Sequence, residues 1–445
     1  MKPLPALPRA LGVAALVAAL SAPAATSAQE VPEEPEPFPH VVVATLDTGT
    51  NPLHPAFQRE QPYHPSTFIP DYPASAQAVE ISREETFADT LDASKPALLE
   101  LKEKQFPYWF PGTNLIGTWA HQEDAIPIFD TRAQSGATHS HGASASSQIA
   151  GTDLGLAPEA FLVIMDRTLN NPSGGATNAD VYRTNGDAVR WAADQPWIDI
   201  IHTNIQNIVP LAGNQVPVEP GYHEAVEYAL SKGKLVISAG GNWFVEPTET
   251  SPHAGPPGVL TAGANDNCGY TDYSNPDPHV VMDGYGTVAA HPNGFDTTTF
   301  SGTSSASPRI TGYAAQLLLE IRRHFGITTG MEDGALVALP EGAEVPTAGP
   351  LSDRRLTAAE LHEVIRKTAD PNPHASVWDG GQSICIPQPV DLPFSFYPKM
   401  GYGEVSEHTS QDALDVALGE SAMPARPVED AYYTGSETAR HAFWD

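Results

Sequence analysis

Six short, nearly continuous apolar stretches set the limits on what this chain can fold into. They are Val41–Leu46, Phe161–Met165, Ile198–Ile201, Leu235–Ala239, Val259–Ala262 and Val280–Met282. A strand with one wet face alternates polar and apolar residues, so continuous runs predict strands covered on both faces, as in a parallel sheet. Helical patterns over Ala179–Ala193, His223–Lys232 and Ser304–Phe325 separate several of these runs. Strands alternating with helices predict βαβ units, an α/β chain with helices on both faces of the sheet. A hydrophobic fraction of 41% supplies the core such a sheet needs.

Other stretches break the pattern. Residues 58–135 are rich in Pro, Tyr, Phe and charge, with one short helix predicted at Lys95–Lys104. Residues 330–352 and 370–398 are dense in Gly and Pro and read as loops. These three are expected to be insertions on one domain covering 40–420, followed by a tail at 421–445. Thr357-Ala-Ala-Glu360 is a capping box, which predicts a helix over Ala358–Lys367. A last helix is expected at Gln411–Leu418.

The amino terminus has the form of an export signal. Lys2 and Arg9 precede the apolar run Ala10–Leu20, and Thr-Ser-Ala ends at Ala28 as a small-residue cleavage site. A Pro/Glu-rich spacer follows at 29–39. The mature chain is thus expected to be secreted. In an oxidising compartment the two cysteines, Cys268 and Cys385, favour a disulfide. The net charge of −31, from 54 acidic and 23 basic side chains, repels phosphate backbones and anionic lipid. Nucleic-acid and membrane-surface partners are therefore not expected.

The chemistry sits in three motifs. Asp47 ends the first apolar run and begins Asp-Thr-Gly. Functional residues of open α/β sheets lie beyond the carboxyl ends of strands, which suits a catalytic carboxylate there. Aspartic peptidases use the same tripeptide but need two carboxylates sharing a proton, and the chain has no second Asp-Thr/Ser-Gly. His141 follows His139 in Thr-His-Ser-His-Gly, a spacing also open to metal binding, although no HExxH or Cys/His cluster accompanies it. Ser304 lies in Ser-Gly-Thr-Ser-Ser-Ala-Ser-Pro before an apolar helical stripe, with Pro308 near the helix start. On residue chemistry alone it reads equally as a nucleophile or as a helix cap. Asn242, after Gly240-Gly241, reads as an oxyanion donor or as a turn residue. Acid, imidazole and hydroxyl in the order Asp, His, Ser are the parts of a nucleophilic hydrolase.

Taken together, these motifs resemble those of the subtilisin-like (subtilase) serine peptidases over most of residues 40–420. The resemblance matches Asp47 to the family's orienting aspartate, His141 to its general base, Ser304 of Gly-Thr-Ser-Ser-Ala-Ser-Pro to its nucleophile and Asn242 to its oxyanion donor. It implies a three-layer α/β/α sandwich around a largely parallel sheet, a peptide or protein substrate, no required cofactor and room for a structural calcium. Two departures stand out. Ala143 replaces the usual threonine after His-Gly, and Asn204-Ile205-Gln206 stands where the family's substrate-pairing Ser-Leu-Gly is expected. Asn204, Ile205, Gln206, Gly240 and Gly241 are accordingly expected to line the substrate site. The expected activity is that of a secreted serine endopeptidase acting through an acyl-enzyme. A peptide-binding scaffold with little turnover and a narrow-specificity maturation peptidase are the rivals.

Overall fold

The computed structural model describes residues 37–60, 63–99, 108–120, 141–166, 178–204, 220–242, 256, 258–266, 271, 273–275, 278–370, 374–379, 382–387 and 401–425. Seven strands form its central sheet: β1 (Val42–Asp47), β2 (Leu115–Ala120), β3 (Phe161–Asp166), β4 (Ile200–Thr203), β5 (Leu235–Ala239), β6 (Leu260–Asn265) and β7 (Val280–Asp283). Their order is β2-β3-β1-β4-β5-β6-β7, and every neighbouring pair is parallel. In register, Val42 lies opposite Phe161 and Asp47 opposite Asp166.

Alternation along each strand sorts the apolar runs into two cores, because successive side chains point to opposite faces. Val41, Val43, Ile164 and Ile237 enter one core. There they meet α2 (Gly142–Ala150), α5 (Thr303–His324), α6 (Ala358–Thr368) and α7 (Glu407–Ala417) through residues such as Ile149, Ile310, Leu361 and Ala413. Val42, Ala44, Leu46, Val163 and Val236 enter the other, against α3 (Asn178–Asp194) and α4 (Pro220–Ser231). Helices on both faces of a parallel sheet make the expected three-layer sandwich.

The 58–135 stretch departs from its expected role. Leu115–Ala120 is wholly buried and pairs with β3, so it belongs to the sheet rather than to an insertion. Aromatic residues of the preceding segment pack on that edge: Phe68, Tyr72 and Trp109 share a core with Trp197, and Tyr72 stacks edge-on against Trp197 at 5.0 Å. Its helix, α1, runs over Phe87–Leu99 instead of Lys95–Lys104. Thr86 starts it, its Oγ1 accepting from the Asp89 N–H at 3.1 Å, and Pro96 lies inside the helix. The 370–398 stretch, expected as loop, holds an antiparallel pair, His374–Asp379 with Gln382–Pro387. The last helix starts at Glu407, one turn earlier than expected, whereas the capping box places Ala358–Thr368 as read. The signal segment, most of the spacer, Cys268, Ile205, Gln206, His139 and the tail beyond 425 lie outside the described residues. Among the described residues no helix is long and apolar enough to cross a membrane.

Candidate active site

The site forms at the carboxyl end of β1. Asp47 is 2% exposed, and its carboxylate accepts from Thr48 N–H at 2.7 Å and His141 Nδ1 at 2.6 Å on Oδ1, and from Asn204 Nδ2 at 2.9 Å on Oδ2. A buried carboxylate needs that satisfaction, because desolvating it unpaired costs several kcal/mol at least. The imidazole Nδ1 is therefore committed to the acid, which leaves Nε2 as the atom able to accept a proton.

His141 is the residue immediately before α2, and the chain folds tightly to put it there. Gly142 N–H donates to Thr48 Oγ1 at 3.0 Å, and a Cβ on Gly142 would lie 2.0 Å from the Gly49 carbonyl oxygen. Glycine after the histidine is thus a packing requirement. Gly49 itself turns at φ 95°, where only glycine rests without strain. Thr50 and Ser146 share a 2.6 Å hydroxyl bond that fastens the Asp47 loop to α2. The Phe300 ring meets the imidazole edge to face at 5.3 Å.

Ser304 is in the first turn of α5 and 9% exposed. Its main-chain carbonyl would normally accept from the N–H four residues on, but residue 308 is proline, which has none. Asn204 Nδ2 fills that position at 3.1 Å, with the same amide that binds Asp47. Ser305 Oγ donates to Gln148 Oε1 at 3.0 Å, joining α5 to α2. Among the described residues no hydrogen bond links Ser304 Oγ to His141, so the expected convergence is formed on the acid side and open on the nucleophile side. Such contacts commonly tighten only when substrate binds.

Asn242 follows β5. Its Oδ1 accepts from Thr303 N–H at 2.8 Å and Thr303 Oγ1 at 3.0 Å, which leaves Nδ2 as its donor end in an exposed side chain. Ser305 and Ala306 N–H both donate to Gly302 O. The Ser304 N–H, beside Asn242, has no partner among the described residues. Two donors at a helix amino terminus suit an anionic oxygen.

The expected substrate-lining residues are disposed differently from one another. Asn204 is 8% exposed, with its side chain turned inward to Asp47 rather than outward to a cleft. The N–H groups of Gly240 and Gly241 donate to Ala262 O and Thr303 Oγ1, so both glycines serve to hold the Asn242 turn instead of presenting donors to a substrate. Sequence reasoning passed over His202. It is fully buried on β4, and burial pushes its imidazole down to about 4. No group of three or more His, Cys, Asp or Glu side chains gathers for a metal ion among the described residues.

A parallel sheet carries an acid–imidazole pair at one strand end and a serine at a helix start. Residues 39–329 match the Subtilase family, and the chain belongs to that family. It is 28% identical over 180 residues to Subtilisin-like protease 5 of Trichophyton tonsurans, covering 40% of this chain and 43% of that protein. With Subtilisin-like protease 4 of Trichophyton equinum the identity is 29% over 182 residues, covering 40% and 44%. The chain thus spans less than half the length of these curated relatives. Among solved structures, a prenylagaramide maturation protease aligns at TM-score 0.46 and 19% identity, covering 86% of this chain and 95% of that one. The epidermin leader peptide processing serine protease of Staphylococcus aureus aligns at TM-score 0.47 and 14% identity, covering 86% and 78%.

Proposed function

We propose that this chain is a serine peptidase that cleaves peptide bonds through an acyl-enzyme. Ser304 Oγ attacks the scissile carbonyl, and His141 Nε2 takes its proton and returns it to the leaving amine. Asp47 holds the imidazole tautomer and stabilises the imidazolium that forms. Asn242 Nδ2 and the Ser304 N–H bind the oxyanion. The observation that carries this reading is the 2.6 Å Asp47–His141 bond, in which a buried, hydrogen-bonded carboxylate holds Nδ1 and so assigns the role of base to Nε2. The reaction as written needs no cofactor.

Selective processing of few sites is favoured over broad digestion by Gln206, which stands where the family's substrate strand has glycine. The test is digestion of a mixed peptide library by the full chain and by Ser304→Ala. Cleavage at a small set of related sequences, absent in the variant, is expected. Cleavage that survives in the variant refutes the mechanism, and cleavage at many unrelated sites refutes the selectivity.

A further inference from the structure

The amide of Asn204 occupies a place that the motifs do not announce. Its Nδ2 faces two acceptors, Asp47 Oδ2 at 2.9 Å and Ser304 O at 3.1 Å, and each takes one of its two hydrogens. That fixes the amide's orientation, because a flipped side chain would set oxygen against a carboxylate and a carbonyl. Oδ1 then points to Ser307 Oγ, which donates to it at 2.5 Å. Having spent its only hydrogen, Ser307 must accept from His202 Nε2 at 3.0 Å. A neutral His202 with its proton on Nε2 must in turn accept at Nδ1 from Thr45 Oγ1, 2.9 Å away.

Every bond in this series donates toward the carboxylate, and each member is buried: Thr45 2%, His202 0%, Ser307 0% and Asn204 8% exposed. Burial also keeps His202 in the uncharged form that the series requires. Hydrogen bonds aligned head to tail polarise one another, and a fully satisfied buried series fixes one geometry. Pro308 completes the device, since it empties the Ser304 carbonyl of its helical partner.

We propose that Asn204 is a positioning residue: one amide sets the Asp47 carboxylate and the Ser304 main chain at a fixed separation, and Ser307 with His202 holds that amide. The inference rests on the catalytic roles proposed for Asp47, His141 and Ser304. It reassigns Asn204 from touching substrate to aligning the groups that do. An ångström of misplacement in such an alignment costs about 10²-fold in rate.

Steady-state hydrolysis of one peptide substrate by the full chain tests it. Asn204→Ala is expected to lower kcat about 10²-fold with KM within about twofold. Asn204→Asp, of equal volume, is expected to fall at least as far because it replaces the donor with an acceptor. Ser307→Ala removes a single oxygen and folds if Asn204→Ala does not; it is expected to lower kcat less, again at constant KM. A rise in KM with kcat intact makes Asn204 a substrate contact and overturns the proposal, as does no change in either constant. Ser304→Ala, measured alongside, separates the two layers. Turnover persisting in that variant removes the underlying mechanism, whereas its loss with an unaltered kcat in the Asn204 and Ser307 variants removes this inference alone.

Discussion

Strand β1 carries a buried carboxylate at each end, one its own and one that reaches it from a neighbour, and the two are held in opposite ways. At the amino end, Asp199 accepts from Val42 N–H at 2.9 Å and takes two guanidinium nitrogens of Arg322 at 2.6 and 3.1 Å, with both side chains fully buried. Arg322 also donates to the carbonyls of His40 and Leu336. The partner is permanently charged and forked, so this end is a fixed bidentate ion pair. At the carboxyl end, Asp47 meets neutral donors and one imidazole. An imidazole can gain and lose a proton near neutrality, whereas a guanidinium cannot. Equal burial therefore does two jobs, and the partner's chemistry decides which.

Crossed substitutions break or sharpen this contrast. Asp47→Asn is expected to lower kcat about 10⁴-fold, because the amide no longer selects the working imidazole tautomer, while the unfolding free energy stays nearly constant. Arg322→Met is expected to do the reverse. It strands the Asp199 charge, costing about 3–5 kcal/mol in denaturant unfolding, with kcat per folded molecule unchanged. A stability loss in the first variant matching that in the second would erase the distinction between the two ends.

Asn242→Ala probes the exposed side of the site. It should cost about 3 kcal/mol of transition-state stabilisation, read as a fall in kcat with little change in KM.

A smaller effect follows from pH. Burial lowers His202 to about 4 and His362, whose Nε2 has no partner among the described residues, to about 3. Both lie below the ordinary 6.5, so the unfolded chain binds these protons first and stability rises with pH across that interval. The contribution is whole above about pH 6.5 and drains away as pH falls toward 4 and then 3. Melting temperature against pH should show this slope, flattened in His362→Leu; a variant slope as steep as the parent's contradicts the assignment.

How far the sequence could be read follows the same division between pattern and partner. The apolar runs of β1, β3 and β5 and the capping box of α6 were legible because each is local: burial on both faces, or a side chain satisfying its own helix start. The motifs singled out Asp47, His141 and Ser304, and the structure brings the first two together. Strand β2 was not, because Leu-Ile-Gly-Thr-Trp-Ala mixes Gly and Thr into an aromatic-rich stretch and becomes a strand only by pairing with β3. For α1 a usable signal was present in Thr86 and Asp89, and the expectation at Lys95–Lys104 set the helix too far along the chain. Asp379-Gly-Gly is hairpin chemistry between two short strands, and it was passed over as loop. The inward turn of Asn204 had no sequence signal. It depends on β4 lying beside β1, so that residue 204 falls level with Asp47, and on Pro308 freeing a carbonyl on a third element.

Covalent labelling of the folded full chain with a fluorophosphonate, followed by peptide mapping, addresses the central claim most directly. One adduct on Ser304 is predicted, absent in Ser304→Ala and formed far more slowly in Asp47→Asn. A folded chain that takes up no label, or carries it on another residue, contradicts the account.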